Sequence, residues 1–289
     1  VNAALALLSS LLWGTADFGG GRLAERRAAP LVLGLSQCAA LLALLVAGAV
    51  AVAGPGIPLG RYLVFGAVAG LVGPAALSCY YRALSIGPMG LVSPVAAAGG
   101  VIPVIVGVAQ GDRLGGARVA GVVLALSGAA LAAVNQSRGP GGAGRGVALA
   151  AVAGVGFGSF YPLVAEGART SVLGTLLATR LLGVLAIGGF LGLSARGRES
   201  SPDHPRGGVG PLPARLLLAL ACVGLLDLAA NAAFMLASRT GALAVDGTLG
   251  SLYPVVTAAL AAVVIRERLS RVQFAGAGLA LTGVLLLSS

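Results

Sequence analysis

The 289-residue chain is 57% hydrophobic and only 10% charged, well below the roughly one quarter of charged residues expected of a soluble domain. Its net charge of +10 comes from arginine alone. The arginines stand mostly between apolar runs, where they set topology and meet anionic lipid headgroups rather than nucleic acid. Period-two alternation is absent, which argues against a membrane β-barrel.

Apolar runs of about 20 residues, enough to cross a bilayer as a helix, recur along the whole length. The reading is an all-α integral membrane protein with ten spans. They lie near 3–21, 31–52, 62–82, 90–109, 116–134, 146–165, 171–193, 214–237, 243–264 and 271–288. No basic region or cleavage site marks the first run, so it is expected to be a retained span rather than a signal peptide.

Span 1 contains "LLWGTADFGGG", with Asp17 the only charged side chain before Arg22. A charge at the bilayer centre costs about 2.5–3.5 kcal/mol on insertion scales, so Asp17 requires water, a partner or a proton. Trp13 lies one turn earlier on the same face. Two readings stand: a proton-binding or cation-binding carboxylate with Trp13 as an aromatic wall, or a polar contact that holds helices together.

In span 2, Ser36 and Gln37 suit interhelical hydrogen bonds. Cys38, Cys79 and Cys222 all fall in apolar runs and read as small buried hydrophobes, not as a disulfide framework or metal ligands. Tyr80 and Tyr81 close span 3. Tyr81 suits an interfacial belt and Tyr80 is a cavity candidate. Gly66 with Gly70, and Gly188 with Gly192 in span 7, have the spacing that lets helices approach closely. Gly99, Gly100 and Pro103 interrupt span 4.

The polar stretch "NQSRGPGGAGR" at 135–145 follows five spans. It lacks the lysine of a phosphate-binding loop and reads as a flexible linker between a first unit, 1–134, and a second, 146–289. Span 6 carries Phe157 and Tyr161, and Glu166 at its margin is expected to be solvated, like Glu267. Arg180 sits near mid-depth in span 7. It either holds a substrate carboxylate through a bidentate fork or forms a fixed salt bridge to Asp17 or Asp227. His204, in the polar loop "SPDHPRGG", reads as solvated. Asp227 and Asn231, four apart in span 8, are either helix-bridging groups or solute contacts. In span 9, Asp246 suits an N-cap, Tyr253 is a cavity candidate, and Gly247, Gly250 and Pro254 interrupt the helix. No cofactor and no metal site is indicated.

The two halves resemble each other. "DRLGGARVAGVVLALSGAAL" at 112–131 aligns without gaps to "ERLSRVQFAGAGLALTGVLL" at 267–286. "WGTAD" at 13–17 aligns more weakly to "FGSFY" at 157–161, and "ALSIGPMGLV" at 83–92 to "ASRTGALAVD" at 237–246. The second pairing sets Phe157 and Tyr161 opposite Trp13 and Asp17. Five spans per half is an odd number, so the second half must be inverted in the membrane. Inverted repeats and paired helix breaks are hallmarks of secondary transporters.

The patterns "WGTADF", "YYRALSIGPMGLVSPV" and "LYPVVTAALAAVVIRERLSRVQFAGAGLALTGVLLL" resemble the EamA family of the drug/metabolite transporter superfamily over nearly the whole chain. The resemblance implies ten helices in two repeats and carriage of amino acids, metabolites or toxic compounds, commonly outward. One departure is Asp112, where the second repeat has the more usual Glu267. The family pattern implies both termini inside. The loops after odd-numbered spans hold thirteen arginines against five in the others, which by the positive-inside rule implies both termini outside. The orientation stays open.

The expected function is a secondary-active transporter in the cell membrane, exporting a small-molecule solute by alternating access with protons as the coupling ion. Its other partners are membrane lipid and no nucleic acid, with a monomer or a homodimer both open. The rivals are an integral-membrane lipid-modifying enzyme, and a passive channel or structural membrane subunit. The enzyme would need a cluster of His, Asp, Glu, Ser or Cys at one interface.

Overall fold

The structure is a computed structural model that describes residues 1–24, 27, 29–51, 60–86, 95–96, 98–132, 143–199, 212–265 and 270–288. Tyr81's side chain, His204 and Glu267 lie outside the described set. The described elements are helices: α1 Asn2–Ala24, α2 Ala29–Ala51, α3 Tyr62–Ile86, a 3-10 turn Ala98–Gly100 leading into α4 Val101–Ala109, and α5 Gly116–Ala132. The second half follows with α6 Ala143–Thr170, α7 Val172–Glu199, α8 Ala214–Ser238, α9 Leu243–Gly250, α10 Tyr253–Leu260 with a π-turn Ala261–Ile265, and α11 Arg271–Ser288. Of the stretch read as a linker, Ala143, Gly144 and Arg145 belong to α6, and 135–142 lie outside the described residues.

Among the described residues, six helical segments are long and apolar enough to cross a membrane: Pro30–Ala47, Tyr62–Tyr80, Gly144–Thr170, Val172–Gly192, Ala214–Ser238 and Leu243–Val264. Helix α1 has the length, at 23 residues, but Ser9, Ser10, Thr15 and Asp17 lower its mean hydropathy. Three further apolar helices, Ala98–Ala109, Gly116–Leu131 and Arg271–Leu287, are shorter.

The bundle is packed the way lipid demands. Its buried positions are dominated by small residues, among them Ala6, Ala40, Ala69, Ala83, Ala125, Ala150, Ala153, Ala168, Ala230 and Ala237. The large apolar side chains Leu42, Val64, Phe190, Leu218, Val263, Phe274 and Leu285 are exposed. Lipid tails solvate leucine as well as a protein core does, so close backbone approach between small residues carries the association. The cysteines follow this logic and correct the expectation of burial: Cys38 and Cys222 are exposed, and Cys79 is half-buried.

The principal pairings are α1 on α8, α3 on α6, α2 on α7, α4 on α9 and α5 on α11, with α2 also on α8 and α3 on α7. Exchanging the halves turns α1 on α8 into α6 on α3, and α2 on α8 into α7 on α3. The other pairs map onto themselves.

Glycines make the tightest crossings. A Cβ on Gly158 would collide with the Gly99 carbonyl oxygen, and one on Gly99 with that of Gly154. In the other half a Cβ on Gly14 would lie 2.7 Å from the Tyr253 carbonyl oxygen. Gly14 and Gly158 are equivalent in the repeat alignment, and each presses on the broken span of one half. Gly66 and Gly70 approach the Thr175 and Thr179 carbonyls of α7 in the same manner. Gly188 and Gly192 do not: nothing lies within 4 Å of a Cβ at either, so they leave no helix contact to tighten.

Candidate functional site

Spans 4 and 9 break where they meet. The 3-10 turn at Gly99 and Gly100 precedes α4, and Pro103 is the third residue of that helix. The backbone N–H groups of a first turn have no intrahelical acceptor, so proline there forfeits nothing. Gly250 ends α9 and Pro254 is the second residue of α10, with a turn at Ser251 and Leu252 between. The two breaks touch: a Cβ on Gly100 would lie 2.9 Å from Ser251 Oγ.

Beside the span 9 break sits a buried polar network. Arg180 of α7, 3% exposed, donates from Nη1 to Asp227 Oδ2 of α8 at 2.6 Å and to Gln37 Oε1 of α2. Trp13 Nε1–H of α1 donates to Asp227 Oδ1 at 3.1 Å. Asn231 Nδ2, one turn beyond Asp227, donates to the Asp227 carbonyl at 2.7 Å and to Oδ1 at 3.3 Å. Asp227 therefore has both oxygens engaged and its charge matched by a guanidinium. The ion pair joins Arg180 to Asp227, and Asp17 makes none among the described residues.

Aromatic rings line the same region. Trp13 packs edge-on against Tyr161 at 5.6 Å between centroids and tilted against Phe234 at 5.9 Å. Tyr161 and Phe234 are 4.9 Å apart. Tyr80 and Phe157 form a second edge-to-face pair at 5.9 Å. Such pairs add about 0.5–1.5 kcal/mol beyond their area. Tyr253, first residue of α10, couples electrostatically to Tyr161, Asp17 and Tyr80. The Thr257 hydroxyl, one turn on, donates to the Gly14 carbonyl at 3.1 Å and ties the break to α1.

Asp17 stands apart from the network. Its side chain is exposed, yet its electrostatic neighbours are Asp227, Tyr161 and Tyr253. These come from three other helices of the bundle, so Asp17 lies on the side of α1 that faces them. The candidate residues Trp13, Asp17, Tyr80, Phe157, Tyr161, Asp227, Asn231 and Tyr253 thus come from spans 1, 3, 6, 8 and 9. Spans 2 and 7 join them through Gln37 and Arg180.

Some residues differ from the sequence reading. Asp246 is not an N-cap. The cap position of α9 is Ala242, and Asp246 is the fourth residue of the helix, 1% exposed with Oδ2 lacking a hydrogen bond. The free N–H of Ala244 is taken instead by Asp112 Oδ2 at 2.9 Å, across the repeats. Glu166 is not simply solvated: it binds Arg169 Nη1 at 2.8 Å and lies 3.7 Å from Arg61 Nη2. Ser36 bonds its own helix, at the Leu33 carbonyl. Gln37 and Phe234 belong to the site although neither ranked as a candidate. Gln37 sits with Ser36 on a helix whose other residues are apolar. Phe234 lies seven residues after Asp227, on the face that already carries Asn231.

The model of the EamA-like transporter family matches residues 2–134 and again 144–289. A solved structure described only as the crystal structure of a protein is similar over 99% of this chain and 94% of its own, at 21% identity and a TM-score of 0.75. That likeness is one of fold. No curated protein matches the sequence. Two matches that together span nearly the whole of a chain rich in membrane-crossing helices lead to one conclusion: the chain belongs to the EamA-like transporter family and is a multi-pass membrane protein.

Proposed function

We propose that the chain is a ten-span secondary transporter of the cell membrane, built from two inverted five-span units, 1–134 and 146–289, that exports a small solute by alternating access. The site lies at the paired breaks of spans 4 and 9, the arrangement that broken helices serve in carriers. The halves-exchanged pairing of helices supports the inverted units, because a carrier needs two states of similar energy and symmetric halves supply them. The observation that carries the reading is Asp17: an exposed carboxylate on the bundle-facing side of α1, without an ion-pair partner among the described residues, beside a network whose own charges are matched.

Such a carboxylate is suited to coupling. It holds a proton when the site is sealed from water and loses it when the site opens, so a proton gradient can drive the cycle through it. Trp13 and Tyr161 form the adjacent wall. Arg180 and Asp227 act as a fixed element that orients Trp13 through its indole N–H.

The test uses purified protein in liposomes with a pH-sensitive dye inside. Amino acids, amines and small metabolites are added to vesicles holding a pH gradient. A solute that moves protons through the wild-type protein and not through Asp17→Asn supports the reading. Solute flux with no proton movement in any case would remove the coupling. No flux of any solute, with binding intact, would favour a non-transporting role.

A further inference from the structure

We propose that the cavity at the ends of α6 and α8 binds an anionic phospholipid, its phosphate held by Arg169 and Arg239 and an acyl chain laid against Leu236. The site goes beyond the transport reading and does not depend on it.

On α8 the residues of the buried network, Asp227, Asn231 and Phe234, share one face of the helix. Leu236 lies about 200° around the axis from Phe234 and is 46% exposed. It continues an exposed stripe of Leu218, Cys222, Leu225 and Ala229, the kind of face that a membrane bundle turns toward lipid tails. Arg239 ends this stripe, just past the last helical residue, Ser238. On the neighbouring α6, Arg169 is the last residue but one. Arg169, Leu236, Arg239 and Thr240 line an open cavity of about 410 Å³. The cavity is thus on the outside of the bundle, at the level where a span ends and headgroups begin, and faces away from the network of Trp13 and Asp227.

The charged groups in its lining are both cations. Arg169 is fixed in place, with Nη1 donating to Glu166 at 2.8 Å and Nη2 to Gln110 Oε1 at 3.4 Å, and its other N–H donors remain for a ligand. Arg239 is exposed and makes no ion pair among the described residues. The acids at this end of the bundle are occupied or turned inward. Glu166 lies between Arg61 and Arg169, Asp112 accepts from the Ala244 N–H, and Asp246 is buried. A guanidinium presents a planar fork that matches two phosphate oxygens, and here two such forks border one cavity. Both helices present their C-termini, whose partial negative charge favours the arginines but opposes a bare anion. A free phosphate ion therefore gains little, and Leu236 offers it nothing. A phospholipid adds a chain that the apolar stripe accepts, so charge and hydrocarbon together fit one occupant.

The purified full-length chain in detergent is titrated with dioleoyl phosphatidylglycerol and with dioleoyl phosphatidylcholine, and bound lipid is counted by native mass spectrometry. The two lipids share chains and phosphate and differ in net charge. Phosphatidylglycerol should bind at least about tenfold tighter, and Arg169→Gln with Arg239→Gln should weaken it by about tenfold or more. The control pair Arg113→Gln with Arg118→Gln removes the same charge from exposed positions after α4 and should weaken it by less than about threefold. Equal losses in the two pairs would mean diffuse loop charge and no site, and would overturn the proposal. Equal affinity of the wild-type chain for the two lipids would overturn it as well. Glycerol phosphate, the soluble headgroup fragment, separates the lipid from a free phosphate ester. Failure to displace phosphatidylglycerol at about hundredfold excess supports the lipid, and displacement at the lipid's own concentration overturns it. Arg239→Gln alone breaks no ion pair among the described residues, so it serves where the double variant fails to fold. It should cost about threefold to fivefold in phosphatidylglycerol affinity, and no change would overturn the proposal.

Discussion

Trp13 donates its indole N–H to Asp227 Oδ1 at 3.1 Å while Arg180 holds the other oxygen of the same carboxylate at 2.6 Å. One acid from α8 therefore anchors a ring from α1 and a guanidinium from α7. The ring's position in the wall depends on a carboxylate 214 residues away, and through it on the Arg180 guanidinium of α7.

Removing one member of the buried pair should be costly. Arg180→Met leaves Asp227 charged and without its counter-ion, a change worth about 3–5 kcal/mol of stability. Replacing both, as Arg180→Met with Asp227→Leu, should recover part of the loss, because no unmatched charge remains. Thermal unfolding of the purified variants in detergent checks this. A double variant no better than Arg180→Met alone would show that packing, not charge, dominates.

Asp17→Asn keeps shape and hydrogen-bonding capacity but removes titration. The variant should fold and reach the membrane, lose solute movement driven by a pH gradient, and retain solute exchange. Flux measured at several external pH values reads this directly. An unchanged pH dependence would end the coupling role and leave Asp17 as a packing residue.

Gly158→Ala should disturb the bundle, since the added methyl meets the Gly99 carbonyl. Overpacking of this kind costs about 1–3 kcal/mol. Gly188→Ala has open space around it and should be neutral, or stabilising through helix propensity by up to about 1 kcal/mol. Comparing the two unfolding temperatures tests the assignment of close crossings. Equal effects would contradict it.

The two acids at the start of α9 should also differ. Asp112→Ala removes the acceptor for the Ala244 N–H and should cost about 1 kcal/mol, as loss of a cap does. Asp246→Asn removes an ionisable group whose Oδ2 has no hydrogen bond and should not reduce stability. Unfolding measurements on both variants check the contrast. A larger loss for Asp246→Asn would make Asp246 the structural acid.

Much of this was legible along the chain. A charge in an apolar run needs an explanation, so Asp17 and Arg180 announced themselves. The glycines and prolines of spans 4 and 9 stood in corresponding places, and Trp13 shared a face with Asp17 by periodicity alone. What periodicity does not encode is which face of one helix meets which face of another. Hence Asp17 and Asp227 were equal candidates for Arg180. Hence also the cap of α9 was assigned to Asp246, close in sequence, when Asp112 reaches it from the other half. Burial was harder still: in lipid both the outer and inner faces of a helix are apolar, so nothing in the runs around Cys38 and Cys222 told inside from out.

The glycine crossings at Gly14 and Gly158 have an evolutionary consequence. They are contacts of backbone against backbone or against the root of a side chain, and they tolerate almost no change. The aromatic side chains of the wall, such as Trp13 and Tyr161, are held on that scaffold, and the crossings meet the backbone of Tyr253 and not its ring. Selection can therefore exchange the wall residues for others while the crossings stay fixed. A fold divided in this way can change its wall chemistry long before it changes its frame.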